Sequence, residues 1–314
     1  CIRDRDKWKQ AAEAAYDIIK QKTDLGLDLV PYPQIFNDVN NQKAEVILYR
    51  PTGESGDFEK ANFPIGVEGG KTSTCPTQNL MEAYDMKDGT PFVWNNQSNP
   101  YDNRDPRMKY TIVCNEMKWP VDPVEIWEGG TNGLPLQNAT TTGYYLKKYV
   151  NNTISFEAGS TVTKKQHNWV LFRYGEILLN YAEAMINAFH DPNYKDAVYN
   201  MSAREAVNQI RGRTNISLPG FPSDITEKDF VKRLKNERRV ELAFEGHRFW
   251  DVRRWKELGQ TANIYGVKIT KNNEVISYEK FLLETRAVTD NMYFYPIPNT
   301  ERFKNPNLGQ NPGW

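Results

Sequence analysis

The stretch that decides the fold runs from residue 236 to residue 255 and reads NERRVELAFEGHRFWDVRRW. Glu237, Glu241 and Glu245 recur every four residues, which places three carboxylates along one side of a helix. Like charges at this spacing destabilise a helix unless cations face them. Arginine suits that role, because its planar guanidinium group binds a carboxylate through two parallel hydrogen bonds. The arginines of the same stretch are the expected partners: Arg238, Arg239, Arg248, Arg253 and Arg254.

Paired carboxylates also act as the acid and the nucleophile of glycosidases. In this stretch the charges are balanced and alternate with the aromatic residues Phe244, Phe249, Trp250 and Trp255. That mixture favours a structural helix-turn-helix held by ion pairs. We therefore expect the protein not to be an enzyme, and keep a glycosidase as the less favoured alternative.

Apolar residues at three- and four-residue steps predict helices on both sides of this stretch. Thr226 and Asp229 form a capping signature at the start of one helix, and Gly246 is suited to end it in a left-handed turn. Two of the predicted helices, 170–189 and 202–213, together resemble a tetratricopeptide-type helical hairpin. Further helices are predicted over 4–22 and 249–258, and a short strand over 44–50.

The chain is expected to be one domain, 1–314, with three parts after its N-terminal helix. Residues 51–168 are so rich in Gly and Pro that no long helix fits, except a short one over 78–86, and they form a loop-rich insertion. Residues 169–258 form the helical core. Residues 259–314 are an extended C-terminal segment, and its Pro- and Asn-rich end, 291–314, is not expected to be helical.

Charge and cysteine content exclude several classes of function. Forty Lys and Arg balance forty Asp and Glu, so no broad electrostatic field attracts nucleic acid or an anionic membrane. A zero net charge does not exclude a local patch of positive charge. The apolar runs are too short to span a bilayer. The three His and three Cys lack metal-site spacing, so no metal or cofactor is predicted. A Cys75–Cys114 disulfide stays open as an alternative.

Five further segments, in this order along the chain, match the motifs of a known protein family. They are PTQNLMEAYDMKDG at 76–89, NRDPRMKYTIV at 103–113, GYYLKKY at 143–149, FRYGEILLNYAEA at 172–184, and YPIP at 295–298 followed by NPNLGQNPGW at 305–314. Together with the 236–255 stretch, they resemble the SusD/RagB family of bacterial surface lipoproteins from Bacteroidetes.

The resemblance implies a mainly α-helical, SusD-like fold: a tetratricopeptide-type scaffold with long irregular loops and a few short strands. It implies non-catalytic binding of glycans, or of peptides in RagB-like members, at the cell surface. It also implies delivery to a SusC-like TonB-dependent transporter in the outer membrane. Family members carry a longer N-terminal portion with a lipidated cysteine, so we expect an N-terminally truncated member whose lipid anchor lies outside this chain. Cys1 as the lipidated residue is the less favoured alternative.

Aromatic residues in the loop-rich insertion are the candidate glycan contacts. A flat aromatic face can stack on the C–H groups of a sugar ring while neighbouring amides bind its hydroxyl groups. Trp94 and Trp127 are the strongest candidates, because polar turn residues flank both. The alternative is that each ring pins its loop to the core. The other candidates are Tyr101, Trp119, Tyr144, Asn96 and Asn132.

Overall fold

The computed structural model describes residues 4–36, 44–95, 99–157 and 163–314. The fold is mainly α-helical, as predicted, with paired strands set among the helices. The helices are α1 Arg5–Lys20, α2 Asp57–Asn62, α3 Gln78–Met81, α4 Pro106–Thr111, α5 Tyr174–Phe189, α6 Ala203–Arg211, α7 Glu227–Glu241, α8 His247–Arg254 and α9 Asn299–Lys304. The strands are β1 Val46–Ser55, β2 Ile112–Val113, β3 Tyr145–Leu146, β4 Lys165–Arg173, β5 Asn263–Asn272 and β6 Val275–Thr285. They pair antiparallel as β1–β4, β2–β3 and β5–β6.

The helical core is built from α1, α5, α6 and α7. On α1 the small side chains of Ala12 and Ala15 are buried, which lets α1 pack closely on α5. Helix α6 begins at a capping box in which Ser202 accepts from the backbone N–H of Glu205 and the Glu205 carboxylate accepts from that of Ser202. Thr226 caps α7 by accepting from the backbone N–H of Asp229. The predicted helical hairpin and the predicted cap at Thr226 are therefore present.

Several predicted helix boundaries are wrong. Helix α3 ends at Met81 rather than at residue 86, and α8 spans His247–Arg254 rather than 249–258. Helix α5 begins at Tyr174 rather than at residue 170, because residues 170–173 belong to β4, where Val170 pairs with Tyr49 of β1. Helix α7 ends at Glu241, five residues before Gly246. Gly246 does adopt the left-handed conformation, with φ of +85°, but it precedes α8.

The C-terminal part is not simply extended. Strands β5 and β6 form a long hairpin across a two-residue turn in which Asn273 has φ of +54°. Val267 and Ile269 of this hairpin are buried against the loop-rich insertion. Helix α9 also lies where no helix was expected. The turn sequence Asn-Glu lacks the Asn-Gly signal of a tight hairpin, so the sequence pattern did not indicate it.

The loop-rich insertion has a hydrophobic core of its own. Within its described residues it contains the short helices α2, α3 and α4, the β2–β3 pair, the C-terminal part of β1 and the N-terminal part of β4, in keeping with the prediction that no long helix forms there. Its core is rich in aromatic side chains and includes Phe63, Tyr84, Trp119, Tyr144 and Tyr145. The insertion is therefore a packed unit rather than a set of solvent-exposed loops.

The three glutamates of the decisive stretch all form buried ion pairs. Glu241 accepts from Arg173 Nη1 at 2.8 Å, Arg213 Nη2 at 2.7 Å and Arg107 Nη1 at 2.8 Å. Glu237 accepts from Arg107 at 2.5 Å and from Arg211 at 2.7 Å.

Glu245 completes the series beyond the end of α7. It accepts from Arg173 Nε at 2.7 Å and from Lys148 Nζ at 2.7 Å. Cations do face the carboxylates along the whole series, as the spacing required.

The predicted partners were nevertheless wrong, because the cations come from distant segments rather than from the same stretch. Arg238 pairs with Asp251 at 2.8 Å, and Arg254 pairs with Glu183 and Asp251. Among the described residues, no carboxylate lies within ion-pair distance of Arg239, Arg248 or Arg253. Successive residues on a helix point about 100° apart. Arginines next to these glutamates therefore face other directions.

We call the complete set the buried ion network. Its five carboxylates and five cations balance in charge, and none of these side chains is more than 3% exposed. A buried charge is tolerated only when it is paired and hydrogen-bonded. The members are Glu45, Asp105, Glu237, Glu241, Glu245, Arg107, Lys148, Arg173, Arg211 and Arg213.

The network shifts the pKa values of its members. Burial acts to raise the pKa of Glu241, but Arg213, Arg173 and Arg107 outweigh it and hold that pKa well below the ordinary range. The pKa values of Glu237 and Glu245 are lowered in the same way. Burial lowers the pKa of Lys148 to about 8, despite the opposing charge of Glu245.

Replacing Arg173 with Ala should destabilise the protein by about 3–5 kcal/mol, because it leaves buried carboxylates without a partner. Arg248→Ala is the matched control, since Arg248 makes one hydrogen bond to Gln260 and no ion pair among the described residues. It should cost under about 1 kcal/mol. Urea unfolding of the two variants measures both values. Equal losses would contradict the structural role of the network.

Stability should also fall on acidification. A glutamate with a lowered pKa contributes stability that is complete above its unfolded value of about 4.5 and is lost as pH falls through the folded pKa. Three network glutamates act in this direction. Asp85, whose pKa burial raises to about 6, acts in the opposite direction. Urea unfolding between pH 7 and pH 3 should show a steep loss below about pH 4.5 that becomes shallower in Glu237→Gln. A flat profile in the wild-type protein would refute this.

Candidate functional site

Trp94 and Trp127 are both partly buried against the aromatic core of the insertion, which leaves part of each ring exposed. Trp94 contacts Phe92 edge to face, with ring centroids 6.4 Å apart. Lys271 Nζ lies 4.4 Å from the centroid of the Trp127 ring. Each ring is therefore packed against the insertion over part of its surface, and the rest of its surface is accessible to a ligand.

Phe92, against which Trp94 packs, is itself held by contacts with Arg104. The Arg104 guanidinium lies over the Phe92 ring, 3.6 Å from its centroid. The same group donates to the carbonyl oxygens of Met81 at 2.7 Å, Tyr84 at 2.6 Å and Pro100 at 2.6 Å. Arg104 therefore joins the segments on both sides of the loop that carries Trp94. The predicted contact Asn96 lies outside the described residues.

The loop that carries Trp127 is fixed to the β5–β6 hairpin. The backbone N–H of Glu128 donates to the carbonyl of Ile269 at 2.9 Å, and that of Gly130 donates back to Trp127 at 2.9 Å. Gly129 has φ of +87°, which glycine adopts without strain. The position of the Trp127 ring thus depends on a hairpin that the sequence analysis did not identify.

Tyr101 is also partly buried. Its ring meets Tyr144 and Tyr278 edge to face, with centroids 6.2 Å and 5.3 Å away. It has less free surface for a ligand than an isolated loop residue would have.

Three of the predicted contacts are buried: Trp119 is 4% exposed, Tyr144 0% and Asn132 5%. Trp119 packs edge to face on Phe63. The Tyr144 hydroxyl donates to Gln78 Oε1 at 2.5 Å, and Asn132 Oδ1 accepts from the backbone N–H of Gly66 at 2.8 Å. These side chains hold loops to the core and offer no face to a ligand in this structure. The site that we propose below does not include them.

Sequence reasoning missed the contribution of the hairpin, which supplies Lys271 and Tyr278 to the surroundings of Trp127 and Tyr101. The alternation of Ile264, Val267 and Ile269 was the available signal, but Gly266 and the bulge between Ile264 and Tyr265 weaken it.

Nowhere in the described ranges do three or more His, Cys, Asp or Glu side chains group in a way that could hold a metal ion. Cys75 and Cys114 are both free thiols, and burial raises the pKa of Cys114 to about 12. Across the same ranges, every helix is too short or too polar to cross a bilayer.

Comparison with known proteins identifies the family. The model of the SusD family matches residues 34–314. The chain belongs to this family. The quoted motifs of the SusD resemblance converge on the buried ion network: Asp105 and Arg107 lie in 103–113, Lys148 in 143–149 and Arg173 in 172–184. Three of the five quoted segments, and the 236–255 stretch, therefore supply members of this network.

Individual relatives agree with this assignment. SusD-like protein P2 of Formosa agariphila is 29% identical over 163 residues, which is 50% of this chain and 28% of that protein. The crystal structure of a SusD-like protein from Bacteroides fragilis is 25% identical with a TM-score of 0.78, and the match covers 97% of this chain and 63% of that one. A SusD-like carbohydrate-binding protein from the same species is 24% identical with a TM-score of 0.78, and covers 98% of this chain and 62% of that one. The chain thus spans about three fifths of its solved relatives.

Trp119→Ala should destabilise the protein by about 3–5 kcal/mol, because it opens a cavity in the aromatic core of the insertion. Trp127→Ala should cost less than half as much, since its ring is only partly buried. Urea unfolding of the two variants makes the comparison. If Trp127→Ala were the more damaging change, Trp127 would be an anchor of the core instead.

Proposed function

We propose that this protein captures oligosaccharides at the bacterial cell surface without cleaving them. In this proposal it is held at the outer membrane by a lipid anchor and passes the glycan to a SusC-like TonB-dependent transporter. Membership of the SusD family supports the proposal, as does the similarity to a solved carbohydrate-binding relative.

The observation that carries the proposal is the placement of Trp94 and Trp127. Each ring is partly exposed and held by a well-packed base, so little conformational freedom is lost when a sugar stacks on it. Glu128 and Lys271, which are near Trp127, can bind hydroxyl groups beside a stacked ring. Tyr101 is a secondary contact in this proposal.

The buried ion network argues against the glycosidase alternative for this stretch. A glycosidase needs two carboxyl groups, about 5–9.5 Å from each other, that flank the substrate and are accessible to it. Glu237, Glu241 and Glu245 are instead at most 3% exposed and are bonded to Arg or Lys. Their role is to hold the scaffold together.

Trp94→Ala and Trp127→Ala should each weaken glycan binding tenfold or more, because a buried aromatic contact contributes about 1–3 kcal/mol. Affinity electrophoresis through gels that contain candidate polysaccharides measures the binding, and thermal unfolding checks the fold. Trp250→Ala is the matched control, because Trp250 is 60% exposed on α8 and its ring contacts Phe249 and Tyr295. It should leave binding unchanged.

Three outcomes would count against this assignment. Release of reducing ends from a bound polysaccharide would indicate an enzyme. Binding of peptides in place of glycans would indicate a peptide-capturing, RagB-like member. Folded Trp94→Ala and Trp127→Ala variants with normal glycan binding would place the site elsewhere.

The transporter partner is tested separately. The full-length protein, purified from detergent-solubilised outer membranes of cells grown on the cognate glycan, should carry a TonB-dependent transporter with it. Recovery of the protein without such a partner would contradict this part of the proposal.

A further inference from the structure

Two arginines of the decisive stretch, Arg239 and Arg248, have no carboxylate partner among the described residues. Both line a cleft of about 460 Å³ between α7, the segment 82–92 and residues 248–260. We call it the basic cleft. It adjoins the buried ion network through the pair of Asp85 with Arg211, and the Trp94–Trp127 proposal does not use it.

The basic cleft has an excess of positive charge. Its three carboxylates are already paired: Glu82 with Lys280 at 2.8 Å, Asp85 with Arg211 at 3.4 Å, and Glu257 with Lys235. Counted over the described residues, four of its cations form no ion pair. These are Lys228, Lys232, Arg239 and Arg248.

Both guanidinium groups are held in place by polar contacts. Arg239 Nη2 donates to the Asn79 carbonyl at 2.7 Å, and the Asn79 side chain is itself fixed by the backbone of Tyr265 at 2.8 Å. Arg248 Nη2 donates to Gln260 Oε1 at 3.0 Å. Gln260 in turn donates to Glu257 at 3.0 Å. Most N–H groups of the two arginines are therefore available to a ligand.

Arg248 also disfavours the charge of Arg239, whereas the nearby Glu257 and Asp251 favour the charge of Arg248. Burial, together with the charge of Arg248, lowers the pKa of Arg239 to about 10. A partly buried cation beside a like charge is costly, and an anion bound at Arg239 would relieve that cost. Guanidinium groups bind planar or tetrahedral oxyanions through paired hydrogen bonds.

We propose that the basic cleft binds an oxyanion group, a carboxylate or a sulfate ester, of an acidic glycan. The inference rests on the proposed function, because the anion is carried on a sugar chain. Phe92 lines the cleft and contacts Trp94, with ring centroids 6.4 Å apart. A single glycan can therefore stack on Trp94 while its charged substituent enters the cleft.

The test compares dextran, carboxymethyl dextran and dextran sulfate, which share a backbone and differ in charge. The double variant Arg239→Gln/Arg248→Gln should lose tenfold or more in affinity for at least one charged polymer, with dextran unaffected. The matched control is Arg50→Gln/Arg286→Gln, which removes the same charge from exposed positions outside the cleft. Affinity electrophoresis at fixed ionic strength measures the binding, and thermal unfolding confirms that both variants fold.

A loss confined to carboxymethyl dextran would assign carboxylates to the cleft, and a loss confined to dextran sulfate would assign sulfate esters. Equal losses in the two double variants would overturn the proposal, because binding would then reflect general charge. So would a wild-type protein that binds neither a charged polymer nor inorganic sulfate.

Calorimetry with inorganic sulfate separates this proposal from the proposed function. Sulfate binding that requires Arg239 and Arg248, in a protein that binds no polysaccharide, would contradict the glycan function and leave the anion site standing. Trp94-dependent binding of a neutral glycan, with no sulfate bound and no effect of the double variant, would contradict the anion site alone.

Discussion

The buried ion network is the interaction on which the rest of the structure depends. It joins segments that are far apart in sequence: Arg173 reaches Glu45 across 128 residues, and Arg213 reaches Glu45 across 168. Arg107 brings the loop-rich insertion to α7 across 130 residues. Because each charge is buried, each segment must be present for its partners to be satisfied. The network therefore couples the N-terminal strand, the insertion and the helical core.

Helix α7 shows how one short sequence serves two purposes. Its Glu237 and Glu241 face the network, while Arg239 faces the basic cleft on another side of the helix. Lys235 and Glu257 pair with each other at the edge of that cleft. Glu237, Glu241 and Glu245 thus serve the packing of the scaffold, while Arg239 and Arg248 form no ion pair among the described residues and line the basic cleft. This division gives a neutral chain a locally positive surface.

Local features of the fold could be predicted from the sequence, because they depend on near neighbours. The cap at Thr226 and the helical hairpin of α5 and α6 are examples. The four-residue spacing of the glutamates also predicted that cations must face them. It could not identify those cations, since Arg107, Arg173 and Arg213 are brought there only by the tertiary fold. The site was predictable only in part for the same reason. Trp94 and Trp119 both lie in the loop-rich sequence, and the tertiary packing of the insertion leaves the first ring partly exposed and buries the second.

Native-state hydrogen exchange tests most directly whether the network makes the chain one cooperative unit. The most protected amides of α4, α5 and α7 should exchange with the same free energy of opening and the same dependence on denaturant, because the network opens as a whole. The Arg173→Ala variant should lower the free energy of opening of all three helices by the same amount. Exchange of α4 and the rest of the insertion at a distinctly lower free energy, independent of α5 and α7, would contradict the account.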